Sequence, residues 1–328
     1  MAVTLVAISA LVFLIINLPP GNYITNQIAE MRATGEAAGI AKAEQLIEEY
    51  SLDKPLWEQY LIWMGFWPGP AGFSGILQGN FGWSFELNRP VGEVVGELAG
   101  LTVAVNLAAL LFVYLVALPL GVIAAVKANS VIDYVASFVG YIGLATPNFL
   151  LALIMLFYGA QYFNIPIGGL MDREFEDEPL TWAKLQNIGL HLIVPTIVIG
   201  TSAAAAVMRR LRANLMDELN KPYVTTARAK GCSATRRITR YPLRMALNPF
   251  VADIGNLAPQ LVSGSVMISV VMSLPTLGPI LLQSLRSQDL FMSGFILLFV
   301  SGLTLIGMLI SDILLAVLDP RIRLGKRG

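Results

Sequence analysis

The sequence predicts an all-α integral membrane protein of about six transmembrane helices, and three observations lead there. Of its 328 residues 55% are hydrophobic and only 13% charged, with a mean hydropathy of +0.67, too apolar for an ordinary soluble chain of this size. Long uncharged runs recur, each close to the roughly 20 residues a helix needs to cross a hydrocarbon core about 30 Å thick. The charges balance, 22 Lys+Arg against 22 Asp+Glu, yet they are segregated by sign between the runs. Opposite faces of a bilayer impose that segregation.

The first run, Ala2 to Leu18, ends at Pro19-Pro20-Gly21. A secretory signal would carry a basic start and a small-residue cleavage pattern; no Lys or Arg precedes the run and no A-x-A follows it, so 1–18 reads as an uncleaved span. Residues 19–98 read as an extracytoplasmic cap. Between Asn22 and Glu97, Asp and Glu outnumber the basic Arg32, Lys42, Lys54 and Arg89, and a segment poor in Lys and Arg belongs outside the cytoplasm. Within it, the Ala- and Glu-rich stretch Ala33 to Tyr50 predicts a helix. Trp57, Trp63, Phe66, Trp67 and Trp83 suit an aromatic cluster at the membrane interface.

The rest of the chain, 99–328, reads as the membrane core with five more spans. The second span covers about Gly100 to Val126 and is closed by Lys127 in a short cytoplasmic turn. The third, about Ala136 to Phe163, holds Thr146-Pro147 near its middle, where loss of a backbone donor predicts a kink. The acidic loop that follows, with Asp172, Glu174, Glu176, Asp177 and Glu178, lies outside again. After a fourth span, about Leu190 to Met208, the charge sign reverses: 209–247 carries ten basic residues against Asp217 and Glu218 and is assigned to the cytoplasm. A fifth span, about Pro249 to Met272, an outside loop with Arg286 and Asp289, and a sixth span, about Phe291 to Leu318, complete the series. The basic tail Arg321, Arg323, Lys326 and Arg327 returns inside, so both termini are expected in the cytoplasm.

Several chemistries find no support in the residues. A single Cys232 cannot close an intramolecular disulfide, and a single His191 cannot supply the clustered ligands of a zinc or haem site. No Ser/His/Asp set can be assembled, and no G-x-x-x-x-G-K-[ST] phosphate loop is present, so the chain cannot hydrolyse ATP by that route. Catalytic and metal-binding residues are therefore expected to be none, and His191 and Cys232 are read as structural.

The segment 209–247 is longer than the two to eight residues that usually join helices in a bundle. Strong helix formers around Ala227 to Lys230 precede Gly231, a residue suited to ending a helix in the left-handed conformation. The pattern predicts a short helix, a Gly turn and a second basic helix. On charge alone the cations could equally anchor the segment to anionic lipid.

The order of residues goes further. Tyr223-Val224-Thr225-Thr226-Ala227-Arg228-Ala229-Lys230-Gly231, continuing through Arg236-Arg237 to Leu243-Arg244-Met245-Ala246-Leu247-Asn248-Pro249, resembles the "EAA" loop of ABC-importer permeases and, more narrowly, the dipeptide/oligopeptide permease family. Leu52-Asp53-Lys54-Pro55-Leu56, Gly79-Asn80-Phe81-Gly82, Arg89-Pro90-Val91, His191-Leu192-Ile193-Val194-Pro195 and Leu318-Asp319-Pro320-Arg321 resemble it too, so the likeness covers nearly the whole chain. Two departures stand out: Thr225 occupies the place of Glu in the broader motif, and Ser273-Leu274-Pro275-Thr276-Leu277-Gly278 differs from the usual aromatic-Gly-x-Pro-Gly-x-Gly pattern.

This resemblance implies a type I ABC importer permease fold in a bacterial or archaeal inner membrane. It implies a second homologous permease, two cytoplasmic ATPase subunits that hold ATP and Mg, and an extracytoplasmic solute-binding protein as partners, with no nucleic acid and no cofactor on this chain. The cargo it implies is a peptide, with oligosaccharides, glycosides or nickel as the alternatives within the same architecture. ATPase coupling would fall to Tyr223, Thr225, Thr226, Ala227, Arg228, Ala229, Lys230 and Gly231. Beside this, Asp253, Asn256 and Gln260 recur at helical spacing on the fifth span and, with Gly264, predict one polar face, lining a translocation path or hydrogen-bonding a neighbouring helix. An ion-driven secondary transporter would use Asp253 as its coupling site.

Overall fold

The computed structural model describes residues 2–19, 21, 23–24, 26, 28, 45–163, 168–175, 178–179 and 181–318. Most of the helix expected over Ala33 to Tyr50 and the basic tail after Leu318 lie outside the described residues. In chain order the described elements are α1 (Ala2–Ile16), α2 (Leu56–Met64), the two-residue strands β1 (Trp83–Ser84) and β2 (Arg89–Pro90), α3 (Val91–Val126), α4 (Val131–Ala145), α5 (Asn148–Phe163), α6 (Trp182–Leu219), α7 (Pro222–Ala229), α8 (Ala234–Thr239), α9 (Pro242–Ala252), α10 (Ile254–Val271), α11 (Leu277–Arg286) and α12 (Leu290–Leu318). Two compact units emerge, one of Met1–Leu101 with Thr276–Gly302 and one of Thr102–Pro275 with Leu303–Gly328.

In the first unit α1 is 15 residues long, about 22 Å at 1.5 Å per residue, which is short of the hydrocarbon thickness. The helix α2 begins after Pro55 and stops at Gly65, whose φ of 88° lets its own N–H turn back on the Ile62 carbonyl. Phe13, Trp63, Met64, Val91, Val94, Leu277, Phe291 and Ile296 form the core of this unit. Trp63 therefore departs from the interfacial cluster expected of it: its ring packs 5.5 Å from Phe13, while Trp57, Phe66 and Trp67 stay about half exposed. The antiparallel β1–β2 pair, Trp83 opposite Pro90 and Ser84 opposite Arg89, is tied to the start of α12 by Asp289. That carboxylate, fully buried, accepts from the Ser84 hydroxyl at 2.6 Å and the Glu86 and Met292 amides at 3.2 and 3.3 Å.

In the second unit the expected third span is two helices rather than one kinked rod. Pro147 bars Thr146 from the helical region, and Thr146 takes φ −84°, ψ 120°. The chain turns by 101° between α4 and α5. Gly140 and Gly143 let α4 lie against Met208, Ala205 and Thr201 of α6, and Gly200 lets α6 lie against Phe112 of α3. His191, on α6, is 3% exposed; its Nδ1 sits 2.9 Å from the Asn187 carbonyl and its Nε2 3.6 Å from Asp172, a structural placement.

Among the described residues three helices, Val91–Val126, Trp182–Leu219 and Leu290–Val317, are long and apolar enough to cross a bilayer, and the bent α4–α5 pair makes a fourth if it is one span. Of the other two expected spans, the first is the short α1. The fifth is broken at Asp253, so that Pro249 belongs to α9 and the 18-residue α10 begins at Ile254.

Candidate functional site

The fourth span does not stop where the charge sign changes. α6 runs on through Arg209 to Leu219 for a total of 38 residues, about 57 Å, because Arg, Leu, Met, Ala and Glu all favour the helix. Leu211 and Leu215, four apart and both fully buried, pack with Ala246 and Phe250 of α9 and with Val113 and Ala117 of α3. The basic segment is thus an extension of a membrane helix followed by three short helices, where sequence alone suggested a loop beginning at Arg209.

Only Asn220 and Lys221 separate that extension from α7. Pro222 stands at the first position of α7, where its missing N–H costs nothing. At the other end Gly231 takes φ +73°, the Gly231 amide donates to the Arg228 carbonyl at 3.0 Å and the Cys232 amide to the Ala227 carbonyl at 3.1 Å. The left-handed glycine closes the helix as its sequence predicts. Of the eight residues of α7 only Val224 is buried. Ala227 is half-buried, and Tyr223, Thr225, Thr226, Arg228 and Ala229, with Lys230 and Gly231 beyond them, are exposed.

Two contacts hold α7 in place beside Val224. The Tyr223 hydroxyl donates to Glu218 of α6 at 2.5 Å, and the Tyr223 ring meets Tyr241 edge-on at 6.4 Å. Partial burial and the hydrogen bond to Glu218 push the Tyr223 phenol above its ordinary range. The outward face carries Thr225, Thr226 and Ala229, which with Asn220 and Pro222 line an open depression of about 560 Å³. Exposed cations on the same segment include Arg228, Lys230, Arg236, Arg240 and Arg244. The side chains that line the depression are hydroxyl, amide and apolar groups.

The α6 extension also makes two ion pairs that sequence reasoning did not single out. Arg210 Nη1 lies 2.7 Å from Asp253 Oδ2. Arg212 donates through Nε at 2.5 Å and Nη2 at 2.7 Å to the two oxygens of Asp133, a carboxylate 1% exposed that also accepts from the Asn129 amide at 2.8 Å. The signal for Asp133 was a lone acid at the head of an apolar run, where an ionisable group implies a partner. Asp253 occupies the turn between α9 and α10, so the helix face expected over Asp253, Asn256 and Gln260 is interrupted at its first member. Asn256 lies in α10 with its side chain outside the described residues, and Gln260 is exposed.

Residues 117–324 match the family described as "Binding-protein-dependent transport system inner membrane component". The oligopeptide transport system permease protein AppB of Bacillus subtilis (strain 168) is 32% identical over 322 residues, 97% of this chain and 95% of its own length. The dipeptide transport system permease protein DppB of Escherichia coli (strain K12) is 30% identical over 339 residues, 98% and 95% of the two chains. The di/tripeptide transport system permease protein DppB of Pseudomonas aeruginosa (strain UCBPP-PA14) is 31% identical over 334 residues, with the same coverage. Among solved structures, an inward-facing MetNI methionine ABC transporter chain superposes with a TM-score of 0.51 at 19% identity, covering 66% of this chain and 93% of that one. At that identity the likeness speaks to the fold.

Proposed function

We propose a transport role on a plain premise: the chain belongs to the family of binding-protein-dependent transport system inner membrane components. It is a membrane-embedded permease subunit of an ABC importer and not itself an enzyme. In our reading the cargo is a peptide, as the names of the relatives suggest. The working importer joins this chain to a second, homologous permease, two cytoplasmic ATPase subunits that bind ATP and Mg, and an extracytoplasmic solute-binding protein. Both termini of this chain face the cytoplasm.

The observation that carries the coupling assignment is the presentation of α7. A helix of eight residues with one buried side chain holds itself to α6 by Val224 and Tyr223 and leaves Thr225, Thr226, Arg228, Ala229 and Lys230 free for a partner. We read this face as the one that seats in a cleft of the ATPase, with Ala227 at its edge and Gly231 setting the exit angle. An ion-driven carrier built on Asp253 is less well supported, because that carboxylate already meets Arg210 at 2.7 Å.

Gly231→Val tests the reading. No atom lies within 4 Å of a Cβ added there, so the change acts through φ +73°, which a β-branched residue avoids. Membrane insertion should be unchanged while co-purification of the ATPase and transport both fall. Normal co-purification and normal transport in this variant would remove the assignment.

A further inference from the structure

Movement at α7 matters only if it reaches the membrane helices, and the second unit contains a specific means for that. We propose that the ion pair between the buried Asp133 carboxylate and the half-buried Arg212 is a strut that makes α4 follow the α6 extension, so that Asp133 and Arg212 are positioning residues for energy coupling. The proposal rests on the assignment of α7 as the ATPase-docking helix.

Three features of the geometry point the same way. First, α7 is separated from α6 by only Asn220 and Lys221 and is fastened to it by the Tyr223–Glu218 hydrogen bond at 2.5 Å, so displacement of α7 is delivered to the extension. Second, Arg212 grips Asp133 with two nitrogens, at 2.5 and 2.7 Å. A two-point contact between a planar guanidinium and a carboxylate resists rotation as well as separation, which a single bond does not. Third, Asp133 is fixed to its own helix start: it accepts from the Asn129 amide at 2.8 Å and from Ser137 Oγ at 3.4 Å, and its own amide donates to Ser130 Oγ at 3.4 Å. The carboxylate is therefore rigid with respect to α4, and the pair joins two helices and not two floppy side chains.

What α4 leads to gives the strut its consequence. It runs into the 101° break at Thr146-Pro147 and then into α5. Toward that break the α4–α6 contact is made by Gly140 and Gly143 against Met208, Ala205 and Thr201, with the Arg209 guanidinium 4.8 Å from the centre of the Tyr141 ring, a contact less tightly directed than a two-point ion pair. Without the ion pair, the α6 extension keeps only the small-residue packing and the Arg209–Tyr141 contact to draw α4 with it. The Arg210–Asp253 pair is the more open of the two: its side chains are 50% and 24% exposed, against 28% and 1% for Arg212 and Asp133, so water competes for it more readily.

The test uses the assembled importer with its ATPase and binding protein in proteoliposomes, reading cargo transported per ATP hydrolysed. Asp133→Asn and Arg212→Lys should leave the ATPase bound and hydrolysing within about twofold of the parent, while transport per ATP falls at least tenfold. Because either variant can also weaken folding, a second variant carries Asp133→Cys and Arg212→Cys in a Cys232→Ser background, joined by a short reducible bis-methanethiosulfonate linker. The ratio should be high with the link in place and fall when it is reduced in the same preparation. An unchanged ratio on reduction, transport and hydrolysis falling in proportion, or failure to assemble even when linked would each overturn the strut. Loss of the ATPase from a Gly231→Val complex is read separately and concerns the docking assignment alone.

Discussion

Asp289→Ala is expected to loosen the β1–β2 segment by about 3 kcal/mol, and the figure follows from the donors it would strand. The buried carboxylate accepts from Ser84 Oγ at 2.6 Å and from the Glu86 and Met292 amides at 3.2 and 3.3 Å. A buried donor left without an acceptor costs roughly 1–3 kcal/mol, and Ser84 is itself fully buried. Against those three losses stands relief from keeping a carboxylate out of water, which offsets about one of them. About 3 kcal/mol corresponds to roughly a hundredfold more frequent opening. Asp289→Asn keeps one acceptor oxygen and removes the charge, and should cost about 1 kcal/mol. The pH dependence has a definite sign. Burial, working against those same donors, holds the Asp289 carboxyl above its ordinary range, so the folded chain binds this proton more tightly than the unfolded chain does. Its contribution is complete below the ordinary carboxylate pKa and is lost as pH rises through the raised value. Amide hydrogen exchange over residues 84–91, corrected for intrinsic exchange rates, reads both effects. An alanine variant as protected as the parent, or parental protection that rises with pH across this window, would refute the reasoning.

Two further expectations concern the second unit. Gly200→Val places a Cβ 2.5 Å from Phe112 Cδ1 and 3.3 Å from the Ala109 carbonyl; forcing α3 and α6 apart should cost about 1–3 kcal/mol, seen as a lowered unfolding temperature in detergent. Tyr223→Phe removes the bond to Glu218, and the difference in ultraviolet absorption between parent and variant should show a phenol that ionises only above the ordinary tyrosine range, as the raised pKa of Tyr223 requires.

Much of this architecture was legible because the bilayer writes simple rules. Apolar length located α3, α6 and α12, and Gly231 marked the end of α7 because few other residues accept φ +73°. Thr146-Pro147 marked a deformation, but whether a proline bends a helix or divides it depends on what packs around it, and here the chain turns by 101°. The end of α6 lies beyond the change of charge sign for a different reason. A change of charge sign marks where the membrane stops, and a helix whose residues favour helix and whose Leu211 and Leu215 find a core continues past that point. Asp289 and Asp133 were hidden because their partners, Ser84 and Arg212, are distant in sequence. A carboxylate in a presumed loop looks the same in sequence whether it is solvated or buried.

The most direct test of the whole account is uptake of a labelled peptide into vesicles that contain this chain with its partner permease, ATPase and binding protein. Uptake should require ATP and persist when ion gradients are collapsed. Uptake that proceeds without ATP and disappears with the ion gradient would contradict it.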